Sequence, residues 1–180
     1  MRIVVAVTGA SGIDYAVTLL KTLGEEKILI VSEHGKRLIE IESALSLDEI
    51  EAMANVRYDD NDLEAAISSG SNDFDAMVIV PCSMSTLSKV ACGIADTLIT
   101  RTASVALKED RKLILVPRET PLSKIHIDNM SKLKDAGAVI LPAMPAFYTK
   151  PKTIQDMVNF ITGRIMESLG LDHQLYEKWK

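Results

Sequence analysis

Arg118 and Glu119 stand next to each other directly after an apolar run, L-I-L-V at residues 113–116, and directly before Thr120, Pro121 and Ser123. The run reads as a strand that stops at Val116, because Pro117 has no ladder donor and a charged pair does not fit a sheet interior. A guanidinium and a carboxylate at a strand's carboxyl end occupy the edge where open parallel α/β sheets bind ligands. The pair offers a cation for an anionic ligand and an acid for proton handling. A surface ion pair capping a loop is the plain alternative.

Arg164 is the second cation with a possible task. It interrupts a stripe of Ile154, Met157, Val158, Ile161, Ile165 and Leu169, so at roughly 100° per residue its side chain starts from the packed face. A cation there must be ion-paired or must face a cavity, since unpaired burial is costly. Arg101 and Lys108 share one face of another helix, a grip for an anion or an ordinary solvated face. Tyr148 closes a loop, P-A-M-P-A-F-Y at 142–148, stiff and apolar enough to wall a pocket for a flat or hydrocarbon ligand.

The elements that must hold these groups follow a repeating order. Residues 3–7 form a β-branched run, as a strand buried on both faces should, and break at T-G-A-S-G before a helix from about 13 to 23. Small residues there let backbone approach an anion at a helix N-terminus, although a merely tight turn has the same composition; Ser11 serves either as N-cap or as ligand donor. A second strand at 28–31 ends at Ser32, before a helical pattern over 33–45. Residues 46–73 read as a short helix, a polar turn at 58–61 and a small helix, with solvated acids. A third strand, 76–80, stops at P-C-S-M-S-T, where Ser83 is placed as N-cap of a helix running to Gly93. Cys82 there reads as a structural thiol, because no histidine is placed in sequence to activate it. Asp96 reads as the cap of the helix ending near Lys108, followed by the strand at 113–116, a helix over 125–136, a fifth strand at 138–141 and a last long helix capped by Thr153. Five strands alternating with helices predict a doubly wound parallel sheet.

Composition narrows the function classes. With 180 residues, 47% hydrophobic, the chain can bury one sizeable core, and nothing marks a second domain. A net charge of -5 without any Lys/Arg-rich run argues against a nucleic-acid surface and for a small-molecule partner. Cys82 and Cys92 neither staple a chain of this size nor join histidines at metal-ligand spacing, which fits a reduced cytoplasmic protein. No export signal or membrane span is read. Trp179, the single tryptophan, needs a partner surface, and a neighbouring subunit is one source of it.

Five motifs in this order resemble the UbiX-like flavin prenyltransferases: G-A-S-G at 9–12, P-C-S-M-S-T-L at 81–87, G-I-A-D-T-L-I-T-R at 93–101, L-V-P-R-E-T-P-L-S at 115–123 and P-A-F-Y at 145–148. The similarity covers nearly the whole chain. It implies a flavodoxin-like Rossmann fold in a homo-oligomer, commonly a dodecamer, with FMN at subunit interfaces. It also implies metal-independent transfer of a dimethylallyl group from dimethylallyl phosphate to reduced FMN, giving prenylated FMN for a partner decarboxylase.

Carried over, the resemblance puts FMN on Gly9, Ala10, Ser11, Ser32, Ser83, Met84, Ser85, Thr86 and Arg118, and the dimethylallyl phosphate on Tyr148 and Arg164. Lys108, Arg101 and Glu119 are implied close to the reacting groups, together with Ser11, with Glu119 handling a proton. The implied chemistry is departure of phosphate from the allylic carbon, attack by flavin N5 and ring closure. Three positions depart from the pattern: Asp14 replaces an apolar residue, Ser85 a common lysine, and Ala143 a proline. A flavin-dependent decarboxylase of the phosphopantothenoylcysteine type is one rival, although His34 and His126 do not sit in its motif. A non-catalytic flavin carrier is the other, although it needs no second phosphate site.

Overall fold

The computed structural model describes residues 1–179. Its centre is a six-stranded, wholly parallel sheet built from β1 (Arg2–Val7), β2 (Glu26–Val31), β3 (Val56–Asp59), β4 (Ala76–Cys82), β5 (Lys112–Pro117) and β6 (Val139–Ile140), in the order β3-β2-β1-β4-β5-β6. The helices are α1 (Ile13–Thr22), α2 (Glu33–Glu42), α3 (Leu47–Glu51), α4 (Met84–Ala91), α5 (Leu98–Lys108), α6 (Lys124–Asp135) and α7 (Ile154–Leu169). This is the doubly wound parallel α/β fold that the alternation of runs predicts, and the Rossmann, flavodoxin-like architecture that the resemblance implies.

Alternation within each strand sends residues to two core layers. Ile3, Val5 and Val7 of β1 meet Leu19 and Leu20 of α1 and Ile161 and Ile165 of α7. Val4 and Ala6 face the other way, into the layer of Leu87 from α4, Leu98 and Val105 from α5, and Leu133 from α6. The strands are thus buried on both sides, which is why they read as continuous apolar runs rather than as alternation.

Three sequence readings need correction. The polar stretch around residue 58 contains an edge strand, β3, whose Val56 and Tyr58 are half-buried while Arg57 and Asp59 are exposed. Four residues of half-buried alternation carry too little apolar signal to stand out against flanking acids. The cap of α5 is Thr97, which forms a capping box with Thr100, whereas Asp96 pairs with Lys89 at 2.7 Å. Finally, Arg164 is not on the packed face. Its side chain is 53% exposed and ion-paired with Glu167, because Thr162, Gly163 and Ile165 take the buried positions around it.

Candidate active site

The strand order reverses direction between β1 and β4, and ligands of open α/β sheets bind in the crevice at such a switch point. Thr8 fastens the two strand ends there. Its hydroxyl donates to the Pro81 carbonyl at 2.8 Å and accepts the Ser83 N–H at 2.8 Å. The Gly-rich loop and the start of α4 are therefore held as one unit.

Three helices start at this edge, each with a hydroxyl cap. Ser32 accepts from Gly35 at 3.1 Å, Ser83 from Thr86 at 3.2 Å and Thr97 from Thr100 at 3.4 Å. Residues from all three helix starts, with Gly9, line one cleft of about 360 Å³ that also holds Ser85, Thr86 and Lys36. Helix N-termini present unpaired N–H groups and positive dipole ends, so the helix starts offer a seat for an anion such as a phosphate, while Glu33, Asp59 and Asp60 line the same cleft and two of them pair with Lys36. Asp60, read in the sequence as a turn residue, accepts the Ile99 N–H at 2.9 Å while its carbonyl accepts the Leu98 N–H at 2.7 Å, joining the end of β3 to α5. Burial raises its carboxyl above the ordinary value, against the lowering effect of the Ile99 and Thr97 contacts. Of the histidines, His34 lines the cleft and packs against Gly9, whereas His126 completes the capping box of α6.

Arg118 turns towards the Gly-rich loop, donating from Nε to the Ser11 carbonyl at 3.3 Å. Glu119 turns away and accepts only the Thr120 N–H, at 3.0 Å, so the two do not form the ion pair allowed by their adjacency. Glu42 faces Arg118 instead. At the end of α2, its carboxylate caps α1, accepting the Gly12 N–H at 2.8 Å and the Ile13 N–H at 3.2 Å, while Gly12 takes a left-handed φ of 115° that leaves Ser11 out of the cap. Nothing in the sequence signals this contact, since a carboxylate thirty residues away carries no local spacing rule. Tyr15 completes the corner; burial raises its phenol, Arg118 lowers it and Asp14 raises it again.

Burial opposes the charge on Glu42, but the Gly12 N–H, Ser11 hydroxyl, Ile13 N–H and Arg118 outweigh it and hold the carboxyl below its ordinary value. A depressed folded-state pKa stabilises above the unfolded value and ceases to do so as pH falls through the folded one. Glu42→Gln therefore lowers the melting temperature at about pH 7, and the gap to wild type closes as pH falls below the ordinary carboxylate range. A gap of constant size across that range would show that the carboxylate charge is not what the cap uses.

The remaining candidates lie apart from this corner in a single chain. Arg101, in the first turns of α5, donates from Nε to the Ser68 carbonyl at 2.9 Å. Lys108 pairs with Glu109 beside Gly70, at the far end of α5 and so about 15 Å along the helix from its cap. Tyr148 sits on the 142–150 loop with its ring edge-on to Phe160 at 5.9 Å and to Trp179 at 5.0 Å. The tail residue Tyr176 donates to Glu167, the partner of Arg164, at 2.9 Å. Phe160, packed against Tyr176 at 4.7 Å, links Tyr148 and Arg164 into one cluster over α7. Trp179 thus finds an aromatic partner within its own chain and is still 76% exposed.

Comparison with known proteins places this arrangement. The profile of the flavoprotein family matches residues 1–166. The chain is 52% identical to the flavin prenyltransferase UbiX of Thermoplasma acidophilum, over 99% of this chain and 100% of that one. The chain belongs to the UbiX-like flavin prenyltransferases. Among solved structures, AnUbiX in complex with FMN and dimethylallyl pyrophosphate superposes with a TM-score of 0.97 at 43% identity, covering 99% of this chain and 97% of that one. A dodecameric FMN-dependent UbiX-like decarboxylase from Escherichia coli O157:H7 gives 0.97 at 41% identity, covering 100% of each.

Proposed function

We propose that this protein joins a dimethylallyl group from dimethylallyl phosphate to N5 and C6 of reduced FMN, releasing phosphate and giving prenylated FMN for a partner decarboxylase. The observation that carries the reading is the likeness over almost the whole chain to AnUbiX, a structure that contains both FMN and an allylic donor. FMN fits the switch-point cleft: three helix N-termini favour its phosphate, and Gly9, which lines the cleft, lets the Gly-rich loop close on His34 at the start of α2. Its contacts are Gly9, Ala10, Ser11, Ser32, Ser83, Met84, Ser85, Thr86 and Arg118. Bound and reduced, FMN supplies the nucleophilic ring atoms.

The chain's own groups do the rest. Tyr148 and Arg164 hold the donor's phosphate. As the allylic C–O bond breaks, its electron pair leaves on that phosphate, and cations rather than a metal neutralise the growing charge. Arg101 and Lys108 take part from a neighbouring copy in a homo-oligomer, most simply a dodecamer like the Escherichia coli relative, since within one chain Lys108 ends α5, away from its capped start at the cleft, and pairs with Glu109. The α7 helix and tail supply contacts in that assembly. Glu119, exposed at the carboxyl edge, accepts the proton released as the flavin is alkylated. Ser11 sits against Arg118 and Glu42, where it keeps the loop closed on the ring. Free Cys82 and Cys92 and the lack of any helix long and apolar enough to cross a membrane among the described residues accord with work in the cytoplasm.

Anaerobic incubation with reduced FMN and dimethylallyl phosphate, followed by mass spectrometry of the flavin, should show a gain of one dimethylallyl unit. Parallel reactions with the pyrophosphate compare the two donors. Flavin recovered unmodified with both donors would overturn the reading in favour of a carrier, and carbon dioxide release from a carboxylate substrate would overturn it in favour of a decarboxylase.

A further inference from the structure

Glu167 is the most heavily engaged side chain outside the flavin cleft. Its Oε2 takes the Arg164 guanidinium one helical turn away, while its Oε1 accepts the Tyr176 hydroxyl at 2.9 Å and lies 3.4 Å from His173 Nε2 and 3.6 Å from Lys178 Nζ. Three of those four partners belong to the tail that follows α7. The tail has a seat on the helix: Gly163 has no side chain, and a Cβ there would fall 2.5 Å from the Tyr176 ring and 2.7 Å from the His173 ring. A glycine in mid-helix costs about 1 kcal/mol relative to alanine, so the position is shaped for the tail and not for the helix.

The charge of the cluster matters for what Arg164 can still do. His173 accepts the Leu175 N–H at Nδ1 and turns its Nε2 towards Glu167. The arrangement then counts Arg164 and Lys178 as positive against Glu167 as negative, one net positive charge. Glu167 holds one edge of the guanidinium, and the side chain of Arg164 remains 53% exposed. A long cationic side chain fixed beforehand loses less freedom when an anion arrives.

We propose that Glu167 is a positioning residue for prenyl transfer: it orients Arg164 towards the allylic phosphate and, through Tyr176, keeps the tail bearing Trp179 seated behind Tyr148. The proposal rests on the reading of Arg164 and Tyr148 as the phosphate site. The carboxylate touches no substrate atom. It acts through Arg164, and its charge is compensated by Lys178 so that an incoming phosphate is not repelled.

Glu167→Gln tests this, because an amide keeps the size of the side chain but offers a single acceptor oxygen where the carboxylate serves Arg164 on one side and Tyr176 on the other. With dimethylallyl phosphate and reduced FMN, kcat/KM should fall about ten-fold to a hundred-fold, chiefly through KM, with FMN affinity unchanged. In an Arg164→Ala background the same substitution should lose the larger part of its effect on kcat/KM, keeping only the share carried through Tyr176 and the tail. An undiminished loss in that background, or none in the wild-type background while Arg164→Ala is strongly impaired, overturns the role of Glu167 alone. Arg164→Ala with normal kcat/KM overturns instead the phosphate-site reading on which it rests. Tyr176→Phe, which keeps the ring in its seat and removes the hydroxyl, should reproduce part of the Glu167→Gln effect on KM; a fall in melting temperature with KM unchanged in both variants would make the cluster structural and overturn the proposal.

Discussion

Arg164→Ala should leave a folded, flavin-binding protein that has lost prenyl transfer. The expected loss in kcat/KM is about thirty-fold to a thousand-fold, the equivalent of a charged phosphate contact of about 2 to 4 kcal/mol. The structure makes a stability effect small, for two reasons. The Arg164 side chain is half in solvent, so its removal opens no cavity in the core, and Glu167 retains Tyr176 and Lys178, so no carboxylate is left buried without a partner. Thermal melting and FMN titration therefore stay near wild type while product mass disappears at ordinary donor concentrations. A variant that melts early and sheds flavin would mean that the cation holds the helix and tail together instead of a substrate.

The packed-face argument for Arg164 shows where sequence periodicity stops. Spacing places Arg164 correctly within an apolar helix, but Gly163 and Thr162 beside it are buried without belonging to an apolar stripe, and the tail that packs on Gly163 lies beyond the helix. The strands of the sheet centre were readable because burial on both faces produces unbroken β-branched runs, and Ser83 and Thr153 were readable as caps because capping is local. Glu42 and Asp60 were not. Each meets a helix start from a distant part of the chain, at Gly12 and at Ile99, and only the fold brings such residues together. The resemblance to a family supplied residue roles that no spacing rule would have separated from ordinary caps and solvated faces.

Gly9→Ala should cost the protein its flavin, and the cause can be isolated. A Cβ on Gly9 would fall 2.5 Å from the Cβ of His34, closer than such atoms approach, whereas the nearest His34 backbone carbon is 3.6 Å away. His34 cannot yield by turning its ring, because the clashing atom is fixed to the backbone of α2. The loop or the start of α2 must move instead. Overpacking of this kind costs about 1 to 3 kcal/mol, a fall of about 2 to 12 °C in melting temperature for a chain of this size. Any shift also separates Gly9 from Ser32, the cap at the other side of the cleft, so FMN affinity should drop at least about ten-fold as charge-assisted contacts to the phosphate lengthen. Adding His34→Gly removes the opposing Cβ at a helix-propensity cost of about 1 kcal/mol and should recover most of the lost affinity while leaving some of the lost stability. FMN titration of the single and double variants decides it. Normal affinity in Gly9→Ala would show that the loop does not approach the flavin closely, and failure of His34→Gly to restore binding would show that the methyl group blocks the ligand itself and not the packing of α2.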